Sequence, residues 1–142
     1  MLVVLAIIAM LLAISVPFTA GFGKSLRLKT AARAILSTLR VAKSNAITYR
    51  EEQKVIFDVQ KGEYWIEDSD RRIFEQKRRL PSSIEFRLKG DASDPVTFEE
   101  DTVIFYPTGS LKGTSGSITI TDNKGDSKTV TIVGSTGKVS IE

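Results

Sequence analysis

Residues 1–50 read MLVVLAIIAMLLAISVPFTAGFGKSLRLKTAARAILSTLRVAKSNAITYR, and two different helical patterns meet inside them. From Met1 to Ile14 every residue is apolar, and no charge appears before Lys24. A helix needs about 20 mostly apolar residues to cross a bilayer core, and this stretch reaches that only by taking in Ser15, Pro17, Thr19 and Gly21. A cleavable secretory signal would begin with Lys or Arg, whereas Met1 leads directly into Leu2. A core helix apolar on every side needs protein all round it, more than a chain of 142 residues supplies. Residues 1–23 therefore read as an apolar transmembrane or filament-core helix, with Leu2, Val3, Val4, Leu5, Ile7, Ile8, Leu11, Leu12 and Ile14 as its membrane and assembly surface.

Residues 24–50 predict an amphipathic helix. Leu28, Ala32, Ile35, Leu39, Ala42 and Ala46 recur at steps of four and three and form a narrow apolar stripe. Leu28, Ile35 and Leu39 are expected to pack on the first sheet of the domain that follows. Lys29, Arg33 and Arg40 fall on one flank, a solvated face that is also able to meet anionic lipid. Between the two helical patterns stand Pro17, Gly21 and Gly23, which weaken a helix and mark a candidate hinge.

Past Arg50 the period changes to two. Strands are expected at Val55–Val59, Glu63–Glu67, Ile84–Leu88, Val96–Phe98, Val103–Tyr106, Ser117–Thr121, Thr129–Val133 and Lys138–Ile141. Gly62 falls where the first hairpin needs a positive φ, and Asp122–Gly125 makes a second turn. Ile118 and Ile120 against Thr119 and Thr121 give the alternation of a half-buried antiparallel strand. No helical pattern interrupts the strands, so residues 51–142 read as one antiparallel β domain and the whole chain as α+β.

Charge is segregated as sharply as apolarity. Residues 1–50 hold seven basic residues and no acidic one, which leaves 13 of the 20 basic residues and all 17 acidic ones to residues 51–142, a net −4 there. The isoelectric point near 9.2 thus belongs to the helical segment. With 0 His and no Cys, disulfides, Cys/His zinc sites and every scheme built on imidazole or thiolate are excluded. No cofactor is implied, and enzymatic activity is not expected.

The basic cluster of the β domain is Arg71, Arg72, Lys77, Arg78 and Arg79 around Phe74, a composition able to grip single-stranded nucleic acid. Glu67, Asp68, Asp70 and Glu75 are interleaved with it and cancel most of its field, so a solvated connection is the plainer reading and nucleic acid is not the expected partner. Asp122, Asn123 and Asp126 lack the spacing of a calcium loop and read as a hairpin turn. Glu99, Glu100 and Asp101 read as a solvated carboxylate run.

The segment MLVVLAIIAMLLAISVP resembles the N-terminal helix of type IV pilins and type II secretion pseudopilins. Phe105, Tyr106, Pro107 and Gly109, then Gly116, Gly125 and the closing Thr136-Gly137-Lys138-Val139, resemble the H-type minor pseudopilins of the GspH/FimT family. The resemblance implies a pilin-like fold, a long helix packed on an antiparallel β-sandwich. It implies a structural subunit of the type II secretion pseudopilus, acting in protein export across the outer membrane, anchored once in the inner membrane with its β domain periplasmic. The implied partners are the major pseudopilin, the other minor pseudopilins and the inner membrane. The family's basic leader and Phe-Thr-Leu-x-Glu motif would precede Met1, so this sequence is expected to start at an internal boundary, with prepilin peptidase a partner where the leader exists. Lys24, Arg27 and Lys29 would on their own place the β domain in the cytoplasm, and the leader reverses that orientation. The alternative is a DNA-binding minor pilin of a type IV pilus, using Arg71, Arg72, Lys77, Arg78, Arg79 and Lys138. Relatives that bind DNA carry Gly-Arg-x-Arg near the C-terminus, where Gly137-Lys138-Val139-Ser140 stands here.

Overall fold

A computed structural model describes the backbone of residues 2–87 and 94–142, and the side chains of these residues except 2, 5, 9 and 11–25. One helix, α1 (Leu2–Tyr49, 48 residues), carries both N-terminal patterns without a break. It ends where Arg50 adopts a left-handed φ of 56°, a conformation that stops further helical hydrogen bonding.

Eight strands follow: β1 (Gln53–Asp58), β2 (Glu63–Glu67), β3 (Arg78–Arg79), β4 (Ile84–Phe86), β5 (Thr102–Phe105), β6 (Gly116–Asp122), β7 (Ser127–Val133) and β8 (Lys138–Ile141). They form two four-stranded sheets, ordered β3-β2-β1-β5 and β4-β6-β7-β8. Every pairing is antiparallel, as short turns demand. The β1–β2 turn places Gly62 at φ 65°, as its position between the runs requires. Leu88, the end of one expected strand, lies outside the described residues.

The apolar stripe of the helix is the spine of the core. Ala32, Ile35, Leu39, Ala42 and Ala46 are fully buried and Leu28 nearly so, in one cluster with Val55, Ile66, Val103, Phe105, Ile118, Ile120, Val130 and Ile132. The stripe packs on both sheets, not on the first alone as expected, because α1 reaches β1, β2 and β5 of one and β6, β7 and β8 of the other. A narrow stripe suffices for two partners because alanines at 32, 42 and 46 allow close approach.

Three further expectations are corrected. β6 is not half-buried: Thr119 and Thr121 are buried with Ile118 and Ile120. Their hydroxyls are satisfied, Thr119 Oγ1 with Thr129 Oγ1 at 3.1 Å and Thr121 Oγ1 by donating to the Arg87 carbonyl, so the polar face is covered without loss. The segment around Val96–Phe98 forms only a single bridge, Val96 to Ile118. Pro95 precedes it without an N–H, and a 3₁₀ turn (Glu99–Asp101) follows directly. Finally, β3 was not foreseen: two arginines carry no alternation, and only their pairing with Glu63 and Tyr64 makes them a strand.

Candidate assembly surfaces

At the start of α1, Val3, Val4, Ile7, Ile8 and Met10 are exposed, Val3 by 72% and Met10 by 71%. A row of uncovered aliphatics on a projecting helix is a surface prepared for an apolar surrounding, lipid or protein. Among the described residues no helix is long and apolar enough to cross a membrane. The side chains of Leu2, Leu5, Leu11, Leu12 and Ile14, and those of the Pro17, Gly21 and Gly23 stretch, lie outside the described residues.

Further along, Arg27, Lys29, Arg33 and Arg40 are all exposed. Among the described residues none of the four ion pairs involves α1, which contains no acid of its own. Its basic flank thus faces solvent without an ion-pair partner among the described residues.

Near its C-terminal end the helix is locked to the sheets by residues that the sequence marks as a motif. The Lys43 ammonium donates to the carbonyl oxygens of Thr136 (2.8 Å) and Gly137 (3.2 Å). Gly137 (φ 58°) lies against the carbonyl of Gly109, and Gly109 (φ 81°) lies under Ile47. A Cβ on Gly109 would come within 2.8 Å of Ile47 Cδ1. The Tyr106-Pro107-Thr108-Gly109 turn, closed by the Gly109 N–H donating to the Tyr106 carbonyl, and the Thr136-Gly137 turn thus meet on one turn of helix. This is a structural junction rather than a ligand site.

The basic cluster is dispersed by its surroundings. Lys77 Nζ lies 4.0 Å from the centre of the Trp65 ring, and Arg78 pairs with Glu75 at 2.9 Å. Arg79 lies 3.8 Å from Glu63, and Lys138 stands on β8 in the other sheet. Arg71 and Arg72 belong to a turn organised by Asp68, whose carboxylate accepts the amides of Asp70 and Arg72. Sequence reasoning missed Trp65 and Tyr49. Trp65 donates its indole N–H to Glu67 at 2.7 Å on the outer face of β2, and Tyr49 pairs with Phe74 at 5.7 Å. Tyr64 and Ile66 are buried and Trp65 alternates with them on the other face of β2, and nothing in the sequence brought Phe74 to the end of α1.

Glu100 and Asp101 both hold positive φ, 54° and 51°. Burial pushes the Asp101 carboxyl above its ordinary value, helped by the charges of Asp94 and Asp58. Asp58 is held below its own by the backbone N–H of Lys61, with the Lys61 side chain adding to the effect. The Asp122 carboxylate is taken up by the amides of Lys124 and Asp126 in a tight turn. Among the described residues no three metal-ligating side chains converge.

A helix laid along two antiparallel sheets is also the architecture of known pilin-type proteins. The chain is similar in fold to the minor pseudopilin EpsH of the type 2 secretion system of Vibrio cholerae, with 14% identity, a TM-score of 0.60, and 82% of this chain and 96% of that one covered. It is likewise similar to the type IV minor pilin FimU of Pseudomonas aeruginosa, with 17% identity, a TM-score of 0.62, and coverage of 85% and 92%. No curated protein sequence matches significantly. The family model of the type II transport protein GspH matches residues 31–137. The chain therefore belongs to the GspH family, the H-type minor pseudopilins of type II secretion.

Proposed function

We propose that the chain works as a membrane-anchored structural subunit, whose apolar helix half holds it in the inner membrane until it joins the pseudopilus beside the major and other minor pseudopilins. The observation that carries this reading is the uncovered aliphatic row at Val3, Val4, Ile7 and Ile8, on the same unbroken helix whose later half is the spine of the β domain. Moving such a helix from lipid to a filament core costs little, since both surroundings are apolar. The β domain, a sandwich of two sheets on the helix, is periplasmic in this reading, and no catalytic step is needed. Extraction of membranes is the test: the full-length protein should resist carbonate and yield to detergent, and release by carbonate alone would refute the anchor.

A second reading, a DNA-binding minor pilin, is favoured by one observation. Tyr49 and Phe74 form an exposed aromatic pair next to Arg50, Arg71 and Arg72 in sequence. Exposed rings beside arginines suit single-stranded nucleic acid. The engagement of Lys77, Arg78 and Arg79 with Trp65, Glu75 and Glu63 weakens it. A gel shift with single-stranded DNA at about 0.15 M salt decides, since phosphate-contacting arginines must retain affinity there.

A further inference from the structure

Between α1 and the β2–β3 edge lies an apolar groove of about 340 Å³, which the function above does not use. Its walls are Leu26, Thr30, Ala31 and Ala34 from the helix and Tyr64, Leu80 and Pro81 from the domain, with Arg27 and Arg79 also lining it. Leu26 is 61% exposed, a large aliphatic left in water although Leu28 two residues on is buried. Among the described residues Arg27 makes no ion pair. Asp122, which lines the adjoining depression with Arg27, has its carboxylate committed to its own turn. Arg79 donates its Nε–H to the Lys61 carbonyl at 3.4 Å and has Glu63 as its one ion-pair partner among the described residues, at 3.8 Å, with its own side chain 71% exposed, a pair worth little in water. The groove thus combines an apolar surface with two exposed guanidiniums, neither held in a close, buried ion pair.

Its position along the chain gives the occupant. The apolar run ends at Gly23, and at 1.5 Å per residue Arg27 stands about 6 Å beyond it. The polar headgroup layer of a bilayer is about 5 to 8 Å deep on each side, so Arg27 falls at phosphate level if residues 1–23 span the membrane. We propose that this groove seats an anionic phospholipid, its phosphate between Arg27 and Arg79 and its glycerol and upper acyl carbons against Leu26, Leu80 and Pro81, so that the β domain is held at a fixed height and rotation on the membrane surface. The guanidinium fork suits a phosphate, and both arginine stems add to the apolar wall. A second pseudopilin helix is the rival occupant, but a basic rim selects acid, and every anionic headgroup supplies it. The inference rests on the membrane-anchor reading.

The chain has no Cys, so Ser82→Cys, an exposed position next to Pro81, accepts a single environment-sensitive fluorophore. The labelled full-length chain is placed in nanodiscs of phosphatidylcholine with increasing phosphatidylglycerol. A blue shift that saturates with phosphatidylglycerol is expected, with the half-saturating fraction raised about fivefold by Arg27→Gln and again by Arg79→Gln, each guanidinium near an anionic surface contributing a factor of that size. Lys138→Gln, a charge of the same sign on the other sheet, should leave it unchanged. An equal shift in pure phosphatidylcholine, a shift that ignores both arginines, or one that appears only when the major pseudopilin is added would overturn the lipid seat. No shift in a protein that still co-purifies with the nanodisc would also overturn it and leave the anchor intact. A chain that does not enter nanodiscs at all would overturn both.

Discussion

A single carbon added at Gly137 would place a Cβ against the carbonyl oxygen of Gly109, closer than real structures tolerate, on a backbone already at φ 58°. The obstacle is main chain, so no side-chain rotation relieves it, and opening the contact would also pull Thr136 and Gly137 from Lys43. Gly137→Ala is therefore expected to lower stability by about 3 kcal/mol or more, read as the urea midpoint of the full-length protein in micelles. Asp101 offers a change of opposite sign. Its carboxyl is raised in the folded state, so the protonated form is favoured there; the stability from that proton is present below the ordinary carboxylate range and lost as pH rises through the folded value. Asp101→Asn removes the charge and keeps a residue that tolerates the left-handed φ of 51°. The variant should melt higher than the parent at pH 7 and lose that advantage below about pH 4. An advantage that persisted in acid would mean that backbone conformation, not charge, is responsible.

Among the elements, α1 was the most legible, and for a physical reason. A stripe at steps of four and three has one solution on a 3.6-residue helix, and all six of its members are buried. What it packs against was not legible, because periodicity names a buried face but not its partner. The same limit explains β6: Thr119 and Thr121 alternate like a solvent face, yet the 94–97 segment and Arg87 cover them. Threonines satisfied by one another leave no trace in hydropathy. Of the assembly surfaces, the apolar row and the basic flank were read from sequence. Trp65, Tyr49 and the apolar groove beside Leu26 were not, since each depends on residues far apart in the chain. Leu39→Asp tests the spine: a carboxylate there finds no partner and must either ionise in an apolar core or take up a proton. A loss of several kcal/mol is expected, large enough to abolish the cooperative melt. An unchanged melting temperature would make the stripe an exposed partner surface.

At the scale of the whole molecule, the proposed function asks one 48-residue helix to serve both a bilayer and a packed filament. Within its first half the sequence places Pro17, which has no N–H to donate and is of a residue type that disfavours helix interiors, and Gly21 and Gly23, each of which weakens a helix by about 1 kcal/mol relative to Ala. In the isolated chain the helix is nevertheless continuous from Leu2 to Tyr49, so these residues do not enforce a break in it. That property matters where neighbouring subunits, rather than lipid, set the spacing. An apolar end that must find contacts among other helices, joined to a β domain whose position is fixed by its own neighbours, needs a joint that yields for little free energy. We predict that replacing Pro17, Gly21 and Gly23 together with Ala raises helicity in micelles and reduces incorporation into pseudopili and secretion. The melting of the β domain should stay unchanged, because the buried stripe begins only at Leu28. Secretion at the parental level by the triple variant would show that the joint is not used. In that case Pro17 and the two glycines would only mark where the apolar run ends, and the filament would have to accept a stiff subunit by adjusting the packing of the helices around it.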